Sequence, residues 1–226
     1  MTAKRGEIVE AIYGLGKVKA RRQVEIKVGV LSSVQEVFVK EGDVVVKGAP
    51  LIRFSDGPRF RSPIGGTVTL VAADPGETVS PQTPIIRVED LTDRYIEVAL
   101  EQQGALRVRK GLLAEVVFES LRSEKLTGEV TALFSKNEEF LAHIEVPGLS
   151  ANILPGMTAD VAIVAGRKKD ALLVPLNAVA NGQVTVRRGR HREKIHVKIG
   201  GIDGQWAEIV EGDVRLDDEI VVKVGP

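Results

Sequence analysis

Short runs of alternating apolar and polar residues make up most of the chain. Residues 94–100 alternate in this way, and later stripes comprise Ala114, Val116 and Phe118; Leu126, Val130, Ala132 and Phe134; and Ala159, Val161 and Ile163. A two-residue period is typical of strands that bury one face. Only residues 101–110 favour a helix, of one or two turns, which Gly111 would end. The pattern therefore predicts an all-β fold with one short helix.

One set of strands occurs twice, at an offset of 34 positions. Residues 30–56 align without a gap with residues 64–90, and the identical pairs are Val34/Val68, Val37/Val71, Gly42/Gly76, Val45/Val79, Pro50/Pro84, Ile52/Ile86, Arg53/Arg87 and Asp56/Asp90. Gly42 and Gly76 each supply the positive φ that a tight turn requires. Because either half alone would expose its apolar face, we predict that the two halves close into a sandwich.

This duplicated unit resembles the biotinyl/lipoyl-domain fold, a flattened sandwich of two interlocked halves. Carrier domains of that type attach their cofactor to a lysine at the tip that joins the halves. Here the tip is 55–60 and contains no lysine. No lipoyl or biotinyl amide can form at such a tip, so we predict no cofactor. A carrier or scaffold domain of a cytosolic multienzyme complex remains the alternative function.

Composition and charge argue against several other classes of protein. The 31 basic and 31 acidic residues balance, whereas nucleic-acid binding needs a clustered basic excess. The chain has no cysteine, and its three histidines lack the spacing of metal ligands. It has no Gly-x-Ser-x-Gly nucleophile motif. We therefore predict neither an enzyme nor a metal site, and no nucleic acid as a partner.

Three motifs follow the duplication in a fixed order. They are Gly128-Glu-Val130, the turn Leu154-Pro155-Gly156-Met157, and Val174-Pro175-Leu-Asn-Ala-Val179. In this order they resemble the membrane fusion, or periplasmic adaptor, family of tripartite efflux pumps. The resemblance implies an elongated chain of three β modules. These are a lipoyl-like sandwich (23–91), a small antiparallel β-barrel (92–170), and a membrane-proximal β-roll made of 7–22 with 171–226.

The family usually carries a long α-helical hairpin at the lipoyl tip. In this sequence only a few residues join Phe54 to Phe60, and no heptads lie nearby. We therefore predict a variant that lacks the hairpin. Without a helical arm, we expect either that the tip itself, with Asp56, Arg59 and Arg61, meets the channel directly, or that the channel is longer.

The resemblance implies a non-enzymatic adaptor that links an inner-membrane transporter, of the RND or ABC type, to an outer-membrane channel. Such adaptors form a ring, commonly of six copies. No run approaches the roughly 20 apolar residues that span a bilayer, and the first residues do not resemble a signal peptide. The expected location is the periplasm, with attachment to the inner membrane through a segment outside this sequence.

One basic run lies in the third module. Arg187, Arg188, Arg190 and Arg192 are predicted to contact anionic lipid headgroups or an acidic rim of the transporter. A solvated hairpin tip is the alternative interpretation.

Overall fold

The computed structural model describes residues 1–55, 57, 59–119 and 124–222. Within this part of the chain, strands predominate and the single α-helix has four residues. The predicted all-β class is confirmed. Buried apolar side chains form three large clusters and one small one, so the chain has several cores rather than one.

The first strand and the sandwich occupy the first 89 residues. The strands are β1 (Lys4–Ala20), β2 (Gln23–Lys27), β3 (Ser32–Val37), β4 (Val44–Val45), β5 (Pro50–Phe54), β6 (Arg59–Arg61), β7 (Gly66–Val71), β8 (Thr78–Val79) and β9 (Pro84–Glu89). One sheet has the order β2-β9-β7-β4 and the other β6-β5-β3-β8. Strand β4 of the first copy joins β7 and β9 of the second, and β8 of the second copy joins β3 and β5 of the first. The halves therefore interlock around the core of Leu51, Ile52, Ile85 and Ile86.

A closed barrel follows the sandwich. Its elements are β10 (Arg94–Leu100), α1 (Gln102–Ala105), β11 (Leu113–Phe118), β12 (Lys125–Lys136), β13 (Glu139–Glu145) and β14 (Thr158–Pro175). The strands pair in the order β1-β10-β13-β12-β11-β14, and β14 pairs back onto β1, which closes the ring of six strands. Helix α1 places Ala105 in the barrel core, which also contains Phe118 and Ile163.

The last module begins where β14 ends. A 3₁₀ turn (Leu176–Ala178) is followed by β15 (Val179–Ala180), β16 (Gln183–Arg188), β17 (His191–His196), β18 (Lys198–Asp203), β19 (Trp206–Glu211) and β20 (Glu219–Ile220). Strands β15, β16 and β17 form a sheet to which β20 adds on β16. Strands β19 and β18 instead extend the sheet that contains β14.

The strand β1 serves two modules. Residues 4–10 pair with the second half of β14, beside β19, whereas residues 11–17 pair with β14 inside the barrel. Gly16 to Ala20 also pair with β10. The sequence predicts 7–22 wholly in the membrane-proximal module, whereas the register pairs residues 11–20 with strands of the barrel wall.

Candidate docking surfaces

The two glycine turns of the repeat hold each other's halves by equivalent hydrogen bonds. The Gly42 N–H donates to the Val68 carbonyl at 2.9 Å, and the Gly76 N–H donates to the Val34 carbonyl at 2.8 Å. The φ angles of these glycines are 90° and 91°. Exchanging each residue with its counterpart 34 positions away converts one bond into the other, so the sandwich has an internal quasi-twofold.

Strand pairing extends the repeat beyond the part that sequence identity revealed. On β5 and β6, Arg53 lies opposite Arg59, and on β9 and β2, Arg87 lies opposite Glu25. Strands β2 and β6 are therefore equivalent, although residues 23–29 and 57–63 share no identical pair. Only backbone pairing could reveal this equivalence.

The predicted channel-facing tip lies on β6, at the edge of its sheet. Arg59 and Arg61 are exposed, while Phe60 packs edge-on against Phe54 with ring centroids 5.6 Å apart. Asp56 lies outside the described residues. The Arg61 guanidinium donates to the Gly48 carbonyl at 2.8 Å.

Two further residues, not anticipated from the sequence, complete this surface. The guanidinium carbons of Arg53 and Arg59 lie 5.6 and 4.6 Å from the centroid of the Phe38 ring. We call Phe38, Arg53, Arg59 and Arg61 the arginine edge.

The basic run forms the hairpin between β16 and β17, and its arginines have different surroundings. Arg188 donates from Nε and Nη2 to the two oxygens of Asp218, at 2.7 and 2.9 Å. Asp218 is almost completely buried, and the hydrogen bonds from Arg188 lower its pKa below the usual range. Arg187 donates to Glu219. Arg190 and Arg192 are exposed, so within this run they are the arginines best placed for a partner.

The remaining motif residues have contacts within the fold. The turn at Leu154–Met157 clasps β1, because the Gly156 N–H donates to the Val18 carbonyl at 2.9 Å and the Val18 N–H donates to Met157 at 2.8 Å. At Gly128 an added Cβ would lie 2.6 Å from Cγ2 of Ile144. Pro175 ends β14 opposite Trp206 and is buried.

The chain passes between sandwich and barrel twice, and a buried acid joins the two connections. The Asp90 carboxylate accepts from the Thr92 hydroxyl at 2.6 Å, the Thr92 N–H at 3.0 Å and the Arg22 guanidinium. These bonds, the Thr92 hydroxyl first, lower the pKa of Asp90 to about 2.

Known proteins with similar sequences include macrolide export proteins. No protein-family model matches the chain. It is 22% identical over 185 residues to the macrolide export protein MacA of Yersinia pestis, covering 75% of this chain and 50% of that protein. It is 26% identical over 183 residues to MacA of Escherichia coli O157:H7, covering 74% and 49%. The chain thus spans about half the length of these curated relatives.

The crystal structure of MacA from Actinobacillus actinomycetemcomitans superimposes on the whole chain. The TM-score is 0.72 at 16% identity, with 100% of this chain and 99% of that chain covered. The likeness shows a shared fold across every β module. The resemblance to the membrane fusion family is confirmed.

The tip of the sandwich is a short connection. Strand β5 ends at Phe54 and β6 begins at Arg59, so residues 55–58 alone connect them. Four residues leave no room for a helical hairpin. The prediction of a hairpinless variant agrees with this connection.

Residues suited to other chemistry do not converge in the described part of the chain. No group of three or more His, Asp or Glu side chains is arranged to hold a metal ion there. His143 instead lies between the rings of Tyr95 and Phe134, and the His196 ring is hydrogen-bonded to Gln183 at 2.9 Å. No described helix is long and apolar enough to cross a membrane.

Proposed function

We propose that this protein is the periplasmic adaptor of a tripartite efflux pump. The main support is the likeness to MacA over the full series of β modules, together with two curated relatives named for macrolide export. In this proposal the protein links an inner-membrane transporter, of the RND or ABC type, to an outer-membrane channel. Several copies act as a ring, and the role is structural rather than catalytic.

Two of the three modules have a proposed partner. The membrane-proximal hairpin, through Arg190 and Arg192, contacts the transporter or the adjacent anionic lipid headgroups. The sandwich tip contacts the channel directly, because residues 55–58 are too few to carry a helical arm. The domain limits predicted from the sequence remain a proposal, in which residues 11–20 of β1 are now assigned to the barrel because they pair with β14 and β10.

Affinity purification of the tagged protein from membranes of its native host tests the adaptor role. We expect an inner-membrane transporter to be retained at low salt, and deletion of the gene to increase sensitivity to exported compounds. Absence of any transporter among the retained proteins would contradict the proposal. A lipoyl or biotinyl increment in the intact mass would favour a carrier domain instead.

The hairpin contact has its own test. Arg190→Glu/Arg192→Glu should reduce transporter retention at least tenfold, because attraction to an acidic surface becomes repulsion. Lys40→Glu/Lys47→Glu makes the same change of charge on exposed residues of the sandwich and should leave retention unchanged. Flotation with anionic vesicles shows whether the hairpin instead binds lipid. If neither transporter retention nor vesicle binding changes, the hairpin is only a solvated tip.

A further inference from the structure

The quasi-twofold gives every residue of the arginine edge a counterpart in the other half. Opposite Arg87, the β2 strand carries Glu25, which accepts from Arg87 Nε at 3.0 Å and Nη2 at 2.7 Å. Opposite Arg53, the β6 strand carries Arg59. The same backbone position thus holds an ion pair in one half and two like charges in the other.

Like charges directly opposite each other across strands destabilise a sheet. The first half offsets this cost with Phe38, whose counterpart 34 positions later is Ala72. Both guanidinium groups lie over the Phe38 ring. Arg53 also approaches Glu36, at 3.5 Å, and the Glu36 side chain is half exposed. The arginines are thus held side by side at the surface.

Protection of an exposed edge strand does not require this arrangement. Charged residues on an edge prevent unwanted strand pairing. The equivalent edge β2 has such charges in Glu25 and Lys27, which pair with each other at 2.9 Å. Edge protection therefore does not explain why the charged side chains of β6 are all positive. The simplest explanation is that they bind a negatively charged ligand.

A cleft of about 310 Å³ lies beside β6, and its lining is both apolar and polar. Phe54, Phe60, Val30 and Leu31 contribute apolar side chains, and Lys27, Ser32 and Ser33 contribute polar ones. Val30 and Leu31 are 70% and 67% exposed, which is high for such side chains. Phe60 borders the cleft and packs on the core side of β6, whereas Arg59 and Arg61, its neighbours in the strand, project from the opposite face.

We propose that the arginine edge binds an acidic segment of a protein partner, with carboxylates on the guanidinium groups, and that the same segment crosses the edge strand β6 and places an apolar side chain in the cleft. Guanidinium groups that stack on an aromatic ring keep their N–H edge available for bidentate carboxylate contacts. The identity of the partner rests on the proposed function, under which it is the outer-membrane channel. The chemistry of the site does not depend on that identity.

Purified full-length protein tests the site itself. The probe is a fluorescein-labelled peptide of alternating aspartate and leucine, and anisotropy measures its binding at low and high salt. We expect salt-sensitive binding that weakens at least tenfold in Arg59→Glu/Arg61→Glu and is unchanged in Lys40→Glu/Lys47→Glu. Thermal unfolding verifies that both variants fold. Failure of the wild type to bind, or an equal loss in both variants, would overturn the proposal, as would binding to anionic vesicles but not to the peptide.

Co-purification from the native host tests the partner. We expect Arg59→Glu/Arg61→Glu to lose an identified outer-membrane channel while it keeps the inner-membrane transporter. Retention of the channel by this variant would contradict the assignment of the arginine edge to the channel. If the wild-type protein retains neither the channel nor the transporter, the adaptor function is refuted. The peptide measurement would still decide whether the arginine edge binds acidic segments.

Discussion

Arg188 and Arg190 lie two positions apart in one hairpin and have different environments. Arg188 neutralises Asp218, whose side chain is 4% exposed and which also accepts from the Arg215 N–H at 2.8 Å. Arg190 is exposed. In sequence the two are indistinguishable members of a basic run, because the acid that engages Arg188 is 30 residues away.

We expect Arg188→Ala to lower the free energy of unfolding by a clearly larger amount than Arg190→Ala, since it leaves the buried carboxylate of Asp218 without its cation. Arg190→Ala should change it by less than about 0.5 kcal/mol, as is usual for surface positions. Urea denaturation at neutral pH measures both. Similar losses in the two variants would show that Arg188 does not have the anchoring role described.

At the arginine edge, Arg59→Glu places a carboxylate opposite Arg53, as Glu25 is opposite Arg87. Arg59→Gln removes the same positive charge without supplying the carboxylate. The Glu variant should therefore be the more stable of the two by ~0.2–1 kcal/mol. The difference, measured by urea denaturation, should shrink in 1 M salt because salt screens exposed pairs. A Gln variant as stable as the Glu variant at low salt would show that this cross-strand pairing does not form.

The glycine turns are the elements that fix the interlocked sandwich. At Gly42 and Gly76 a Cβ would meet nothing within 4 Å, so only their positive φ requires glycine. The next turn shows that this requirement is not absolute. Gly48 has φ 89°, and its counterpart Gln82 adopts φ 64° at the same point of the other half. The fold therefore imposes the left-handed conformation even on a glutamine.

Gly76→Ala should destabilise the protein by about 1–2 kcal/mol, because alanine is strained at positive φ. Gly29 is the matched control, since its Cβ position is also open but its φ is not in the left-handed range. Gly29→Ala should be nearly neutral in the same thermal or urea denaturation. If Gly76→Ala were equally neutral, the turn would not depend on backbone conformation.

Sequence patterns predicted the strands and their duplication well, because side-chain periodicity is local. They did not predict the side chains exposed by a bulge. A register shift between Val130 and Ala132 in β12 leaves Val130 in the core but exposes Phe134, so the expected common face is wrong. Such a shift depends on pairing with β13. For the same reason, the sequence predicted only Arg59 and Arg61 of the arginine edge. Phe38 and Arg53 join them because of strand pairing, which is not a local property of the sequence.

At the scale of the whole molecule, Asp90 links the connections between sandwich and barrel. Its carboxylate is 8% exposed and binds Arg22 on the other connection. Next to it, the Arg21 N–H donates to the Asp93 carbonyl at 2.8 Å. Side-chain and backbone hydrogen bonds thus join the two connections, so the sandwich is not attached to the barrel by independent flexible linkers.

This arrangement predicts a specific pH dependence. The pKa of Asp90 is lowered from 3.8 to about 2, so its stabilisation is present above pH 4 and is lost as pH falls toward 2. The contribution is on the order of 2 kcal/mol. Urea denaturation of wild type and Asp90→Asn should differ by this amount at pH 6 and hardly at pH 2. A difference independent of pH would mean that the charge of Asp90 is not involved.

The strands β1 and β14 join the barrel to the membrane-proximal module without a linker. Both run unbroken from one core into the other, and the shifts between Gly6 and Ile8 and between Glu10 and Ala11 interrupt their pairing. An axial pull or torque on one module is therefore transmitted to the other through continuous backbone. At those two irregular points the ladder is locally disrupted, and a β-bulge bends its strand and increases the local twist.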